Sequence, residues 1–254
     1  MQLEPKNITT QDVFDCFYQA RDFIKNNITI YFVLWLGFAI NILISIAFPY
    51  WFIVSPVFYA LILIAMFELT CTLFVGYKGS LYNKLYISIV ASYRTLKTLI
   101  IFKPFAVIIY LLVFYSIIVQ SVILTEITNF QSFIYALKLL AVTGLFITNF
   151  YNVFNVIRLG CIAMFMKEIN EFPAVEILMK QAVNSNLKVN FYTSTLGLFL
   201  MIVMIFTADL ISSFLLSFIM VSGFFLFQKV FEPPMLKQQQ EQEEKMPDII
   251  PQTN

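Results

Sequence analysis

Two kinds of block alternate along this chain. One is a long run without charge, and the other is a shorter segment with helical spacing of apolar and polar positions. From Asn26 to Phe67 no residue is charged. A helix that crosses a bilayer needs about 20 apolar residues. That run therefore predicts two spans, at about 30–48 and 52–76, with Pro49-Tyr50-Trp51 as the turn between them. Pro104 to Thr125 is uncharged and predicts a third span at about 104–125, and a helical pattern at about 133–166 predicts a fourth. Val189 to Ala208 and Leu210 to Gln228 are uncharged and separated by Asp209, which predicts spans at about 189–208 and 210–231 joined by a tight turn.

The segments between these runs have spacings of three and four, the mark of an amphipathic helix. In "QDVFDCFYQARDFIKNN", Val13, Phe17, Ala20 and Ile24 form one stripe, and Asp12, Asp15, Gln19, Asp22 and Asn26 form the opposite one. "LYNKLYISIVASYRTLKTLI" sets Tyr82, Leu85, Ile89, Tyr93, Leu96 and Ile100 against Lys84, Ser88 and Thr95. "PAVEILMKQAVNSNLKVN" opens with Pro173, a favoured first helical residue. It carries Glu176 and Lys180 at i,i+4, and Val175, Leu178 and Ala182 face one way. Each segment has a basic residue just before a span: Lys25, Lys97 and Lys188. The chain thus reads as three copies of amphipathic helix, span, turn, span. These helices either lie in the inner headgroup layer or cap the bundle from below, and the sequence leaves both open.

Composition fixes the solvent. The chain has 254 residues, 60% of them hydrophobic and 12% charged, with a mean hydropathy of +0.82. A water-soluble fold of this size has no means of hiding so much apolar surface. The expected class is an all-α integral membrane protein with a six-span domain over 1–232 and a polar, disordered cytoplasmic tail at 233–254. Of the 16 basic residues, all but Lys138 fall on one side of this six-span arrangement. The positive-inside rule then puts both termini in the cytoplasm. The chain start lacks the basic, apolar and small-residue order of a cleaved signal, so the first span is expected to be retained. Asn7-Ile8-Thr9 and Asn27-Ile28-Thr29 match the glycosylation pattern but fall on the cytoplasmic side, and are read as chance. The net charge of +1 gives no reason to expect nucleic acid. There is no His, and Cys16, Cys71 and Cys161 have no metal or disulfide spacing. No metal, cofactor or catalytic residue is expected.

One carboxylate, Glu68, stands in the otherwise uncharged stretch from Ala60 to Gly76. An ionisable residue inside a span is a functional candidate by default. Glu68 lies roughly 12 Å from the inner end of its span at 1.5 Å per residue, and Arg158 lies at about the same depth in the fourth span. The two are expected to pair. Thr148, Asn152, Asn155 and Arg158, at steps of four, three and three, share one face that must point into the bundle. Glu68, Arg158, Asn155, Asn152 and Thr148 thus make a candidate intramembrane polar site. It serves either as interhelical fastening or as a polar cleft that handles a substrate.

The stretch "ITTQDVFDCFYQARDFIKNNITIYFVLWLGFAINILISI" resembles the opening of the YciC family of bacterial inner-membrane proteins. "NVIRLGCIAMFMKE" followed by "FPAVEILMKQAVNSNLKVNF" is similar to a second shared block. Related six-span modules occur fused to glycerophosphodiester phosphodiesterases. The resemblance implies location and architecture, a multi-pass protein of the bacterial inner membrane, and no activity. The expected function is non-enzymatic, through contacts with membrane lipids or with other inner-membrane proteins. The alternative is a small transporter or lipid flippase that uses a polar cleft between spans 2 and 4.

Overall fold

The computed structural model describes residues 5–48, 51–122, 136–144, 156–165, 171–206 and 209–231. Among these residues every regular element is an α-helix. They are α1 (Thr10–Asn26), α2 (Ile28–Ala47), α3 (Trp51–Phe74), α4 (Leu81–Phe102), α5 (Pro104–Val122), α6 (136–144), α7 (Val156–Phe165), α8 (Phe172–Ser185), α9 (Leu187–Phe206) and α10 (Asp209–Val230). Residues 133–135, 145–155 and 166 of the expected fourth span and the whole tail at 233–254 lie outside the described residues.

Local chemistry accounts for the helix ends. Thr9 caps α1 in a capping box: its hydroxyl oxygen accepts from the Asp12 N–H, and its own N–H donates to the Asp12 carboxylate at 2.8 Å. Ser80 caps α4 by accepting from the Asn83 N–H. Beyond α3, Gly76 adopts φ 75, its N–H donates to Leu73 O and the Tyr77 N–H donates to Thr72 O. This paired pattern needs a left-handed residue, which Gly supplies without strain. Pro104 begins α5, where its missing N–H costs nothing.

Three helix pairs are joined by a single residue: α1 to α2 at Asn27, α4 to α5 at Lys103 and α8 to α9 at Asn186. Their backbones adopt φ/ψ of −121/26, −137/51 and −119/31. Each N–H closes the preceding helix, on Phe23 and Ile24 O, on Leu99 O and on Val183 O. Each C=O opens the next helix, accepting from Tyr31, Val107 and Asn190 N–H. Asn27 and Asn186 repeat one further detail: each side-chain amide donates to the carbonyl four residues back, at 2.9 and 3.1 Å.

Helices α2, α3, α4, α5, α9 and α10 carry large apolar side chains on their outward faces as well as inward. Among the described residues three helices, α2, α3 and α4, are long and apolar enough to cross a membrane. Only 33% of the apolar window of α2 is buried inside the fold. Its outward stripe is Phe32, Leu36, Ile40 and Leu43, all exposed. A water-soluble monomer does not carry such a surface, whereas hydrocarbon covers it. The core is built where α3, α7 and α10 meet. There Phe67, Phe165, Phe224 and Phe227 are 0–1% exposed, with ring centroids 5.6 Å apart for Phe67–Phe224 and for Phe165–Phe227. Gly160 makes that approach possible, because a Cβ there would stand 2.5 Å from the Phe227 ring. α1 lies against α10 through Phe17–Phe218 and Phe23–Phe225 contacts.

In α1 and α8 the buried side chains follow the expected stripes, with Val13, Cys16 and Ala20 in one and Val175, Met179 and Ala182 in the other. In α4 the stripe is reversed. Ser88, Ser92, Thr95, Leu96 and Leu99 are buried, while Tyr82, Tyr86, Ile89, Tyr93 and Ile100 face outward. The expectation left open whether the apolar stripe meets the bundle or the headgroup layer, and here Tyr82, Ile89, Tyr93 and Ile100 of it face outward while Leu96 is buried. Against lipid an apolar outer face costs nothing, and small hydroxyl residues let two helix backbones come close. α4 accordingly packs along α3 more extensively than any other pair of helices packs. Its hydroxyls are satisfied locally, Ser88 donating to Lys84 O and Ser92 to Ile89 O.

Candidate functional site

Glu68 sits on α3 facing the core, 2% exposed. Its Oε1 accepts a hydrogen bond from the Thr95 hydroxyl of α4 at 3.0 Å. Thr95 reaches it because it continues the Ser88, Ser92 stripe at steps of four and three, which turns toward α3. Two residues along α3, the Thr70 hydroxyl donates to Met66 O and meets the Tyr31 hydroxyl of α2 at 2.7 Å. Thr72 donates to Glu68 O. The Glu68 level of α3 is thus tied to α2 and to α4 through hydroxyl groups. A hydrogen bond to a carboxylate is stronger than one between neutral partners.

The other expected members of the site are on or near α7. Arg158 belongs to that helix, but its side chain lies outside the described residues, as do Thr148, Asn152 and Asn155 entirely. α7 approaches α3 where the Cys71 and Met164 sulfurs stand 3.4 Å apart, less than one turn beyond Glu68. Arg158 lies about 9 Å back from Met164 along the helix axis, at 1.5 Å per residue.

A second polar cluster joins α2 and α3. Asn41 donates from Nδ2 to the Ser55 hydroxyl at 2.8 Å and to Ser55 O at 3.2 Å. Ser45 donates to Asn41 O and stands 2.9 Å from the Ser55 hydroxyl. Trp51 Nε1 donates to Asn41 Oδ1 at 2.9 Å. Asn41, Ser45 and Ser55 are 0–4% exposed. Read alone, Ser55 is an isolated hydroxyl in an apolar run. The i,i+4 spacing of Asn41 and Ser45 was the available signal for this network. Pairing these four side chains inside the hairpin lowers the cost of placing them in hydrocarbon.

A third cluster lies at the ends of the helices. The buried Asn186 donates from Nδ2 to Lys6 O at 2.9 Å, and its Oδ1 accepts from the Ile8 N–H at 2.7 Å. The Lys6 N–H donates to Val230 O at 2.8 Å. Nearby, Lys229 Nζ stands 3.4 Å from the Asp12 carboxylate. The Thr9 N–H and hydroxyl, and then Lys229, hold the Asp12 carboxyl below its ordinary range. Burial pushes the Cys16 thiol up to about 12, so at neutral pH it is a packing group and not a nucleophile. On α4 and α8, Lys103 pairs with Glu176 at 3.1 Å, and the Phe102 and Phe172 rings stack at 4.0 Å.

Among the described residues no group of His, Cys, Asp and Glu has the arrangement to hold a metal ion. No family model, curated protein or solved structure matches the chain.

Proposed function

We propose that this chain is a non-enzymatic, multi-pass protein of the bacterial inner membrane, built as three repeats of amphipathic helix and membrane hairpin with both termini cytoplasmic, and acting through lipid or protein contacts. The observation that carries this reading is the recurring one-residue junction. Asn27, Lys103 and Asn186 each end an amphipathic helix and begin an apolar one in nearly the same backbone conformation. Three independent junctions have no reason to converge unless the three units share one design. The resemblance to the YciC family supplies the compartment.

The six-span count rests on α2, α3 and α5, the region of α6 and α7, and α9 and α10. In this reading α4 lies along the inner half of α3 without crossing. Lys84, Arg94 and Lys97 along α4 support that, since each basic side chain at mid-bilayer costs about 2.5–3.5 kcal/mol on the insertion scale. The Thr95 bond supports reading Glu68 as a fastening between helices, with Arg158 as its counter-charge from α7.

Thiol labelling from the periplasmic side tests the arrangement. Cysteines introduced at Pro49 or Thr128 should react with an impermeant reagent, and those at Ser80 or Gln240 should not. Labelling at Ser80 from outside would overturn the six-span arrangement. Labelling at Phe102 would show that α4 itself crosses.

A further inference from the structure

We infer that the outward face of α4 is a recognition surface for anionic phospholipid headgroups of the cytoplasmic leaflet. This rests on the membrane reading above and assigns that reading a lipid class and a site. Arg94 and Lys97 are exposed, three apart on one side of the helix. Among the described residues no carboxylate stands within ion-pair distance of either. Beside them on the same outward face lie Tyr86 and Tyr93, 58% and 61% exposed, and Tyr82 stacks on Tyr86 at 6.2 Å. A Tyr ring is apolar in body and polar at its tip, and it settles at headgroup level. Arg94 and Lys97 flank Thr95 and so stand near the level of Glu68, inward of the headgroups; their long side chains extend from there to the phosphate oxygens, and the anionic lipids of the inner leaflet attract them further.

The surroundings exclude water as the natural cover of this face. Ile100, Ile101 and Phe102 of α4, and Phe105 and Ile108 of α5 beyond the Lys103 junction, are exposed as well. The opposite side of α4 is committed to α3 through Ser88, Ser92, Thr95 and Leu99. One helix thus presents basic and phenolic groups beside hydrocarbon-facing surface, and is held rigidly by its buried side. That combination matches a two-part ligand with a charged head and an apolar tail. It does not match a soluble phosphate, which would leave the apolar part unfilled.

The test uses the full chain reconstituted in phosphatidylcholine vesicles that carry trace spin-labelled lipid. Electron spin resonance reports the motionally restricted fraction at the protein surface. Spin-labelled phosphatidylglycerol should be preferred over spin-labelled phosphatidylcholine, and the preference should fall with added salt. The double variant R94Q/K97Q should lose most of it, at roughly fivefold per charge removed if both side chains contact phosphate fully. The charge-keeping variant R94K/K97R should retain it, which separates loss of charge from loss of fold. Inorganic phosphate at millimolar concentration should not compete, and competition by it would mean a phosphate site and overturn the lipid assignment. Equal selectivity in the wild type and R94Q/K97Q would overturn the assignment to α4 while leaving the membrane reading intact. No restricted lipid with any label would overturn both.

Discussion

Glu68 shows how one side chain can be placed by two helices. Its carboxylate is fixed by the Thr95 hydroxyl, and Thr95 is fixed by the packing of a stripe that has nothing else to do but approach α3. Replacing Thr95 with Val keeps the shape and removes the donor. Losing a hydrogen bond to a charged group should cost about 1.5–3 kcal/mol, read as a lower melting temperature in detergent, and Ser at the same position should restore part of it. Arg158→Gln and Glu68→Gln should each destabilise as well. If the two residues pair, the double variant should be less damaged than the sum of the singles, because each single leaves a lone buried charge and the double leaves none. Strict additivity would show that they do not pair. At the other end of the chain, Asp12 carries a pH dependence with a definite sign. Its carboxyl is held low in the folded state by Thr9 and Lys229. Its stabilising contribution is therefore present above the unfolded carboxylate value and is lost as pH falls through the lower folded value. Asp12→Asn should flatten the acid side of a melting-temperature profile and leave a less stable protein at neutral pH.

At the scale of the helix, the same side-chain pattern carries opposite meanings in water and in lipid. The stripes of α1 and α8 were legible from spacing alone, because their polar faces carry Asp, Gln and Lys, which belong outside in either solvent. The stripe of α4 was not. Its small hydroxyls look like a solvated face, and its Tyr and Ile positions look like a buried one, until the outer solvent is taken as hydrocarbon. The long apolar runs marked α2, α3, α5, α9 and α10 to within a few residues, and Gly76 marked the end of α3, because a charge-free stretch and a left-handed Gly do not depend on tertiary context. The partner of Glu68 was hidden for the opposite reason: it lies on a different helix, and only packing chooses between Thr95 and any other hydroxyl. The α4 orientation makes a direct prediction. Ser92→Leu pushes bulk into the α3 contact and should cost about 1–3 kcal/mol by overpacking, seen as loss of melting temperature. Tyr93→Leu, on the neighbouring outward position, should leave it nearly unchanged.

For the whole molecule, the decisive contacts join the start of the chain to its end. Lys6 and Ile8 are held by Asn186, and the Lys6 N–H rests on Val230 O. Both partners are made long after Lys6 and Ile8, so this arm can dock only once later helices exist. Residues 6–8 lack the Asn186 clamp until α8 has formed and lack the Val230 carbonyl until α10 is in place. An early chain therefore carries its N-terminal arm loose, and docking of that arm marks completion of the fold. Trypsin cleavage after Lys6 reads this state. It should be slow in the complete protein, fast in a chain stopped before α10, and fast again in full-length Asn186→Ala, where the last helix is present but the clamp on the arm is gone.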